Sequence, residues 1–134
     1  MKEKMKKRMA LGALVLSAML VLPTGAFAAR SDSKSGTAGD VSTSASLSIH
    51  SDYANGSTSA SDRAYCKVDV VYKYSWGLKG SVYKAEASDT AAYSTSASAS
   101  ASSAWTNPES LSATAAHLVG YGSNSWTAST SVTY

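Results

Sequence analysis

The sequence predicts an all-β fold, a small antiparallel β-sandwich or barrel of about six strands. Apolar and polar residues alternate with a period of two along several stretches, the mark of strands with one buried face. Turn formers separate those stretches: Asn55-Gly56, Gly77-Leu78-Lys79-Gly80 and Asn107-Pro108. A third observation is a repeat. Thr43 to Asn55 matches Thr95 to Asn107 at 7 of 13 positions, which suggests an internal two-fold duplication of strands.

Residues 1–28 read as a secretory signal peptide. Lys2, Lys4, Lys6, Lys7 and Arg8 form a basic start, Met9 to Leu22 is apolar, and Ala26-Phe27-Ala28 is a small-x-small cleavage site. The apolar run is 14 residues long, short of the roughly 20 that span a bilayer. The expected product is therefore secreted and extracellular, with no stable membrane span after processing. The signal has a bacterial look, and the absence of a wall-sorting motif or anchor helix suggests release.

Residues 29–40 are small, polar and Gly-containing, which predicts a flexible tail before a single β domain over 41–134. Val41, Thr43, Ala45, Leu47 and Ile49 then share one face of a strand, and Asn55-Gly56 is expected to turn the chain. The clearest alternation follows. Ala64, Cys66, Val68, Val70, Tyr72, Tyr74 and Trp76 lie on one face, with Tyr65, Lys67, Asp69, Val71 and Lys73 on the other. Gly77 to Gly80 reverses the chain into a strand over 81–87. Residues 92–105 alternate again, with the Ser/Ala run 94–104 expected at an edge, and 126–134 form the last strand.

The segment 108–119 reads two ways. Asn107-Pro108-Glu109 could open a helix with Leu111, Ala115 and Leu118 on one side. A strand would instead turn Leu111, Ala113, Ala115, His117 and Val119 inward. The repeat tips the reading toward strand.

Removing the signal changes the electrostatics. Residues 29–134 hold 7 basic and 8 acidic side chains, a net charge near −1. The pI of 9.0 thus reflects the signal, and nucleic acid is not an expected partner. The same residues include 26 Ser, 10 Thr and only 12 Val, Leu and Ile, so 8 Tyr and 3 Trp must supply much of the burial.

No catalytic or cofactor constellation emerges. His50 lies on a polar strand face and His117 on a less polar one, and with a lone Cys66 they do not make a metal site. Cys66, on an apolar face, reads as a small buried hydrophobe, with an intermolecular disulfide or a reactive thiol as the other options. The carboxylates show no selecting spacing, and there is no Gly-x-Ser-x-Gly elbow. The expected protein is not an enzyme and carries no cofactor or metal.

Aromatics give the best candidates for binding. Tyr65, Trp76, Trp105 and Trp126 combine an apolar body with a polar tip, as suits sugar stacking or protein contact. Tyr65 lies opposite the apolar face and is expected at the surface. The other use of these side chains is strand core and cross-strand aromatic pairing.

The order of signal, short β domain and Ser/Thr/aromatic strands is similar to that of the lactococcin-972-like secreted bacteriocins. Trp105-Thr106-Asn107 followed by Ser112-Ala113-Thr114 resembles a stretch of that group, although the His-rich element expected of it is missing. The leading expectation is a secreted, non-enzymatic interaction protein whose partner is a cell-envelope component or a protein. A bacteriocin-like antagonist and a self-assembling, homo-oligomeric matrix or coat protein are the alternatives.

Overall fold

A computed structural model describes residues 30–134; the expected signal peptide and its cleavage site lie outside them. Six antiparallel strands account for most of the described residues: β1 (Arg30–Ala38), β2 (Val41–Ile49), β3 (Tyr53–Trp76), β4 (Ser81–Ser102), β5 (Glu109–Tyr121) and β6 (Asn124–Thr133). The sequence-predicted fold class is the observed one. No helix occurs among the described residues, so 109–121 takes the strand alternative.

β3 is the spine. Along one side it pairs with β4 for nearly its whole length. Along the other, its first half pairs with β2 and its second half with β5. The β3–β4 register shifts between Ser59 and Cys66, where the strand pair curls. Gly56 then lies against Val70 from the second half of the same strand. A Cβ there would sit 2.7 Å from Val70 Cγ2, so glycine is what permits this close approach.

Curling brings the outer strands β1 and β6 together. Arg30 Nη1 donates to the Thr133 carbonyl at 2.9 Å, and the Ser131 amide donates to Asp32 Oδ2 at 3.0 Å. Trp126 of β6 lies on Gly36 of β1, and Asn124 lies on Gly39. β1 and β6 thus run antiparallel across a seam bridged by side chains, without a backbone ladder. The sheet is a nearly closed barrel.

Four sequence expectations are corrected. The flexible tail is β1 from Arg30 onward, paired in continuous register with β2 from Arg30↔Ile49 to Ala38↔Val41. Its weak propensity is overridden by ladder hydrogen bonds and the seam. Asn55-Gly56 is not a turn but strand interior; the chain reverses just before it, where the His50 amide donates to the Tyr53 carbonyl at 2.8 Å. The expected strands 81–87 and 92–105 are one strand, β4, of 22 residues. Leu111 does not face inward, because an irregularity after Lys73 pairs Tyr74 with Ser110 and slips Leu111 past the register.

The repeat has a structural counterpart. Leu47 and Ala99 flank Gly56 from opposite sides, as Ala45 and Ala97 flank Thr58 and Ile49 and Ala101 flank Ala54. Each pair is 52 residues apart. The two similar segments therefore occupy equivalent registers on the first half of β3.

The core is built of small and β-branched side chains, with Leu47, Ile49, Val68, Val70, Tyr72 and Val119 fully enclosed. His117 lies among them, 2% exposed. Its Nδ1 is 2.9 Å from Thr58 Oγ1, and its Nε2 is 2.8 Å from Thr130 Oγ1. Thr58 donates its own hydroxyl proton to the Lys67 carbonyl. That commits His117 Nδ1 as donor, and in the neutral ring Nε2 accepts from Thr130. Burial holds the His117 pKa below its ordinary value, against smaller upward pulls from the Ser57 backbone and then the Asp32 charge.

Candidate functional site

The β3–β4 hairpin ends in Gly77-Leu78-Lys79-Gly80. Gly77 and Gly80 have φ of 88° and 61°, a region open to glycine at little cost, and the Gly80 amide donates to the Gly77 carbonyl at 3.0 Å. Just below the turn, the inward faces of both strands become aromatic. Tyr72 stacks on Tyr74, and Tyr74 on its cross-strand partner Tyr83. These rings close that end of the barrel.

The loop joining β4 to β5 completes the cluster. Asn107 takes φ of 53° immediately before Pro108, a conformation asparagine tolerates better than most residues. The loop folds Trp105 back onto the hairpin. Its indole stacks on Trp76, with centroids 5.1 Å apart and planes 16° from parallel, and contacts Tyr83 at 4.4 Å. The Trp76 Nε1 donates to the Thr106 carbonyl at 3.0 Å, and the Ala104 amide donates to the Tyr74 hydroxyl. The two indoles are thus held by the fold and still each 38% exposed. Beside them runs a shallow open groove of about 580 Å³, lined by Trp76, Leu78, Lys79, Ser81 and Asn107 among others.

Of the four candidate residues, Trp76 and Trp105 come together and the other two do not. Tyr65 is on the outer face of β3 opposite Gly120, 38% exposed. Trp126 is half-buried on Gly36 in the seam. The sequence reading missed Leu78, strongly exposed in the turn beside Trp76, and Val82, strongly exposed on the outer face of the hairpin opposite Ser75. Leu78 had a legible signal, a large aliphatic flanked by turn glycines with no alternation to place it in a core. Val82 had none, since its face depends on the register with Ser75.

The charge around this end leans basic, with Glu109, paired with Ser75 and 3.4 Å from its hydroxyl, and Glu86 beside Lys84 as its nearby carboxylates. Residues 70–85 contain Lys73, Lys79 and Lys84 and no carboxylate, whereas the rest of 30–134 holds four basic and eight acidic residues. Lys73 and Lys84 are directly opposed across the hairpin. Lys84 reaches Glu86 at 3.6 Å, but both side chains are mostly exposed, so water screens that pair.

The groups most able to do chemistry lie elsewhere. His117 is enclosed in its threonine network. Cys66 is fully buried and reduced, its Sγ 3.6 Å from the Ser94 carbonyl, and desolvation raises its pKa. His50 is stacked on Tyr53 with centroids 4.2 Å apart. No group of His, Cys, Asp and Glu suited to a metal occurs among the described residues, nor does any helix long and apolar enough to cross a membrane.

No protein-family model, curated protein or solved structure matches this chain.

Proposed function

We propose that this chain is a released, non-enzymatic binding protein that engages a component of the cell envelope through the Trp76–Trp105 end of its barrel. The observation that carries this reading is the indole pair. It is fixed by a hydrogen bond and a tailored loop, left partly exposed, and flanked by a groove and the exposed Leu78. Preorganised, half-exposed tryptophans are the usual anchors of binding surfaces. A non-enzymatic role is supported by His117 and Cys66, whose reactive atoms are committed to packing.

The bacteriocin-like reading draws on the same surface, because Trp105-Thr106-Asn107 is the loop that completes it. The two readings differ in outcome for the bound cell. Incubating purified protein with isolated bacterial envelopes should leave it in the pellet, and Trp105→Ala together with Leu78→Asp should release it to the supernatant. Equal retention of parent and double variant would defeat the assignment of this surface. Growth inhibition of a neighbouring strain that is lost in the same variant would favour the antagonist.

A further inference from the structure

Resting on that reading, we propose that the partner of this end is an anionic lipid surface, and that the β3–β4 hairpin docks on it with Leu78 leading. Leu78 is 108% exposed and Val82 63%. Leu78 at the apex of a tight turn contributes nothing to the core, and with the partly exposed Trp76 beside it along the groove it makes an apolar tip open to a partner. Trp76 is two residues back along the chain, at most about 7 Å from the apex, within the roughly 5–10 Å that interfacial segments reach into a bilayer. An aliphatic tip followed by indoles matches the order of a membrane interface, where tryptophan favours the headgroup level.

Charge complementarity selects the kind of lipid. Lys79 is in the turn itself, and Lys73 and Lys84 oppose each other on the strands just behind it. The hairpin has no carboxylate between residues 70 and 85, and with Glu109 and Glu86 set against the three lysines this end keeps a positive excess on a domain that is otherwise acidic. Such a distribution would orient the molecule hairpin-first toward a negative surface and repel its remaining faces. A neutral sugar polymer would have no use for the lysines. A groove built for sugar would also leave free an indole face that Trp76 and Trp105 spend on each other.

Vesicles of phosphatidylglycerol and phosphatidylcholine, compared with phosphatidylcholine alone, test this directly. The purified protein should co-sediment with the anionic vesicles, with a blue-shifted tryptophan emission that weakens as salt is raised. Leu78→Asp should lower the affinity at least tenfold or so, and Lys79→Glu by roughly fivefold or more. Leu78 touches no core residue, so its variant should melt with the parent. Unchanged affinity in Leu78→Asp, or no preference for anionic vesicles, would overturn the lipid assignment. If vesicles fail while envelopes still retain the parent and release the variants, the lipid proposal falls and the binding surface stands, with a wall polymer or a protein as its partner. If the variants stay on envelopes as the parent does, both fall.

Discussion

The β3–β4 hairpin end and the β1–β6 seam each present a tryptophan preceded by serine, Ser75-Trp76 in one and Ser125-Trp126 in the other. At the seam, the indole of Trp126 rests on Gly36, where the absence of a side chain lets ring meet backbone. At the hairpin, Trp76 stacks on another ring, Trp105, its Nε1 bonded to the Thr106 carbonyl, and the pair stays partly open to water. Identical dipeptides thus serve closure in one place and presentation in the other. What separates them is the surface opposite the ring, a glycine of the facing strand in one case and a second, partly exposed indole in the other.

The largest break in that comparison should come from Gly36→Val. A Cβ at this position falls inside the Trp126 indole, so β1 must leave β6 or the ring must leave the seam. We expect a loss of about 3 kcal/mol, visible as a fall in melting temperature of more than about 10 °C. A variant that melts with the parent would mean that the seam contributes little to closure.

An intermediate effect should come from the core that both regions enclose. His117 binds no proton in the folded state until the pH is below its depressed pKa, whereas in the unfolded chain it titrates near the ordinary value of 6.5. Above that value the ring is neutral in both states and contributes no pH dependence. As pH falls below it, the unfolded state takes up the proton first and stability declines by up to about 1.4 kcal/mol per pH unit. His117→Gln should be less stable at neutral pH but should lose this slope. Chemical denaturation of both proteins between pH 5 and 8 would show it; parallel curves would place the acid sensitivity in other groups.

The smallest effect on stability should come from the hairpin end. Leu78→Asp changes a fully exposed turn residue, so stability should move by no more than about 0.5 kcal/mol, while envelope binding should collapse. A stability loss as large as that of Gly36→Val would show that the hairpin end is closure after all, and the contrast between the two regions would disappear.

Strand-scale features were legible in advance because period-two alternation is a local property. The face Ala64 to Tyr74 is buried as expected, as is His117. The Ser/Ala run is an edge, since β4 pairs with β3 alone. The run itself carries no charge. Asp89, nine residues earlier on the same strand, accepts from the Ser98 amide at 3.1 Å and so blunts the edge at that point. Only the bend of β4 makes that contact, and no local pattern signals it. Pairing Trp76 with Trp105, and separating both from Tyr65 and Trp126, likewise depended on where a loop folds.

By itself the sequence determined the all-β class, the inward face of β3, the hairpin at Gly77 to Gly80 and the break at Asn107-Pro108, because alternation and turn chemistry act over a few residues. Tertiary structure alone decided that Arg30 to Ala38 is a strand, that Asn55-Gly56 runs straight, and which tryptophans meet. The reason is the same in each case. A polar segment becomes a strand only when a partner satisfies its backbone, a glycine is kept in a strand only when another surface presses on it, and a ring is exposed or covered according to residues distant in the chain.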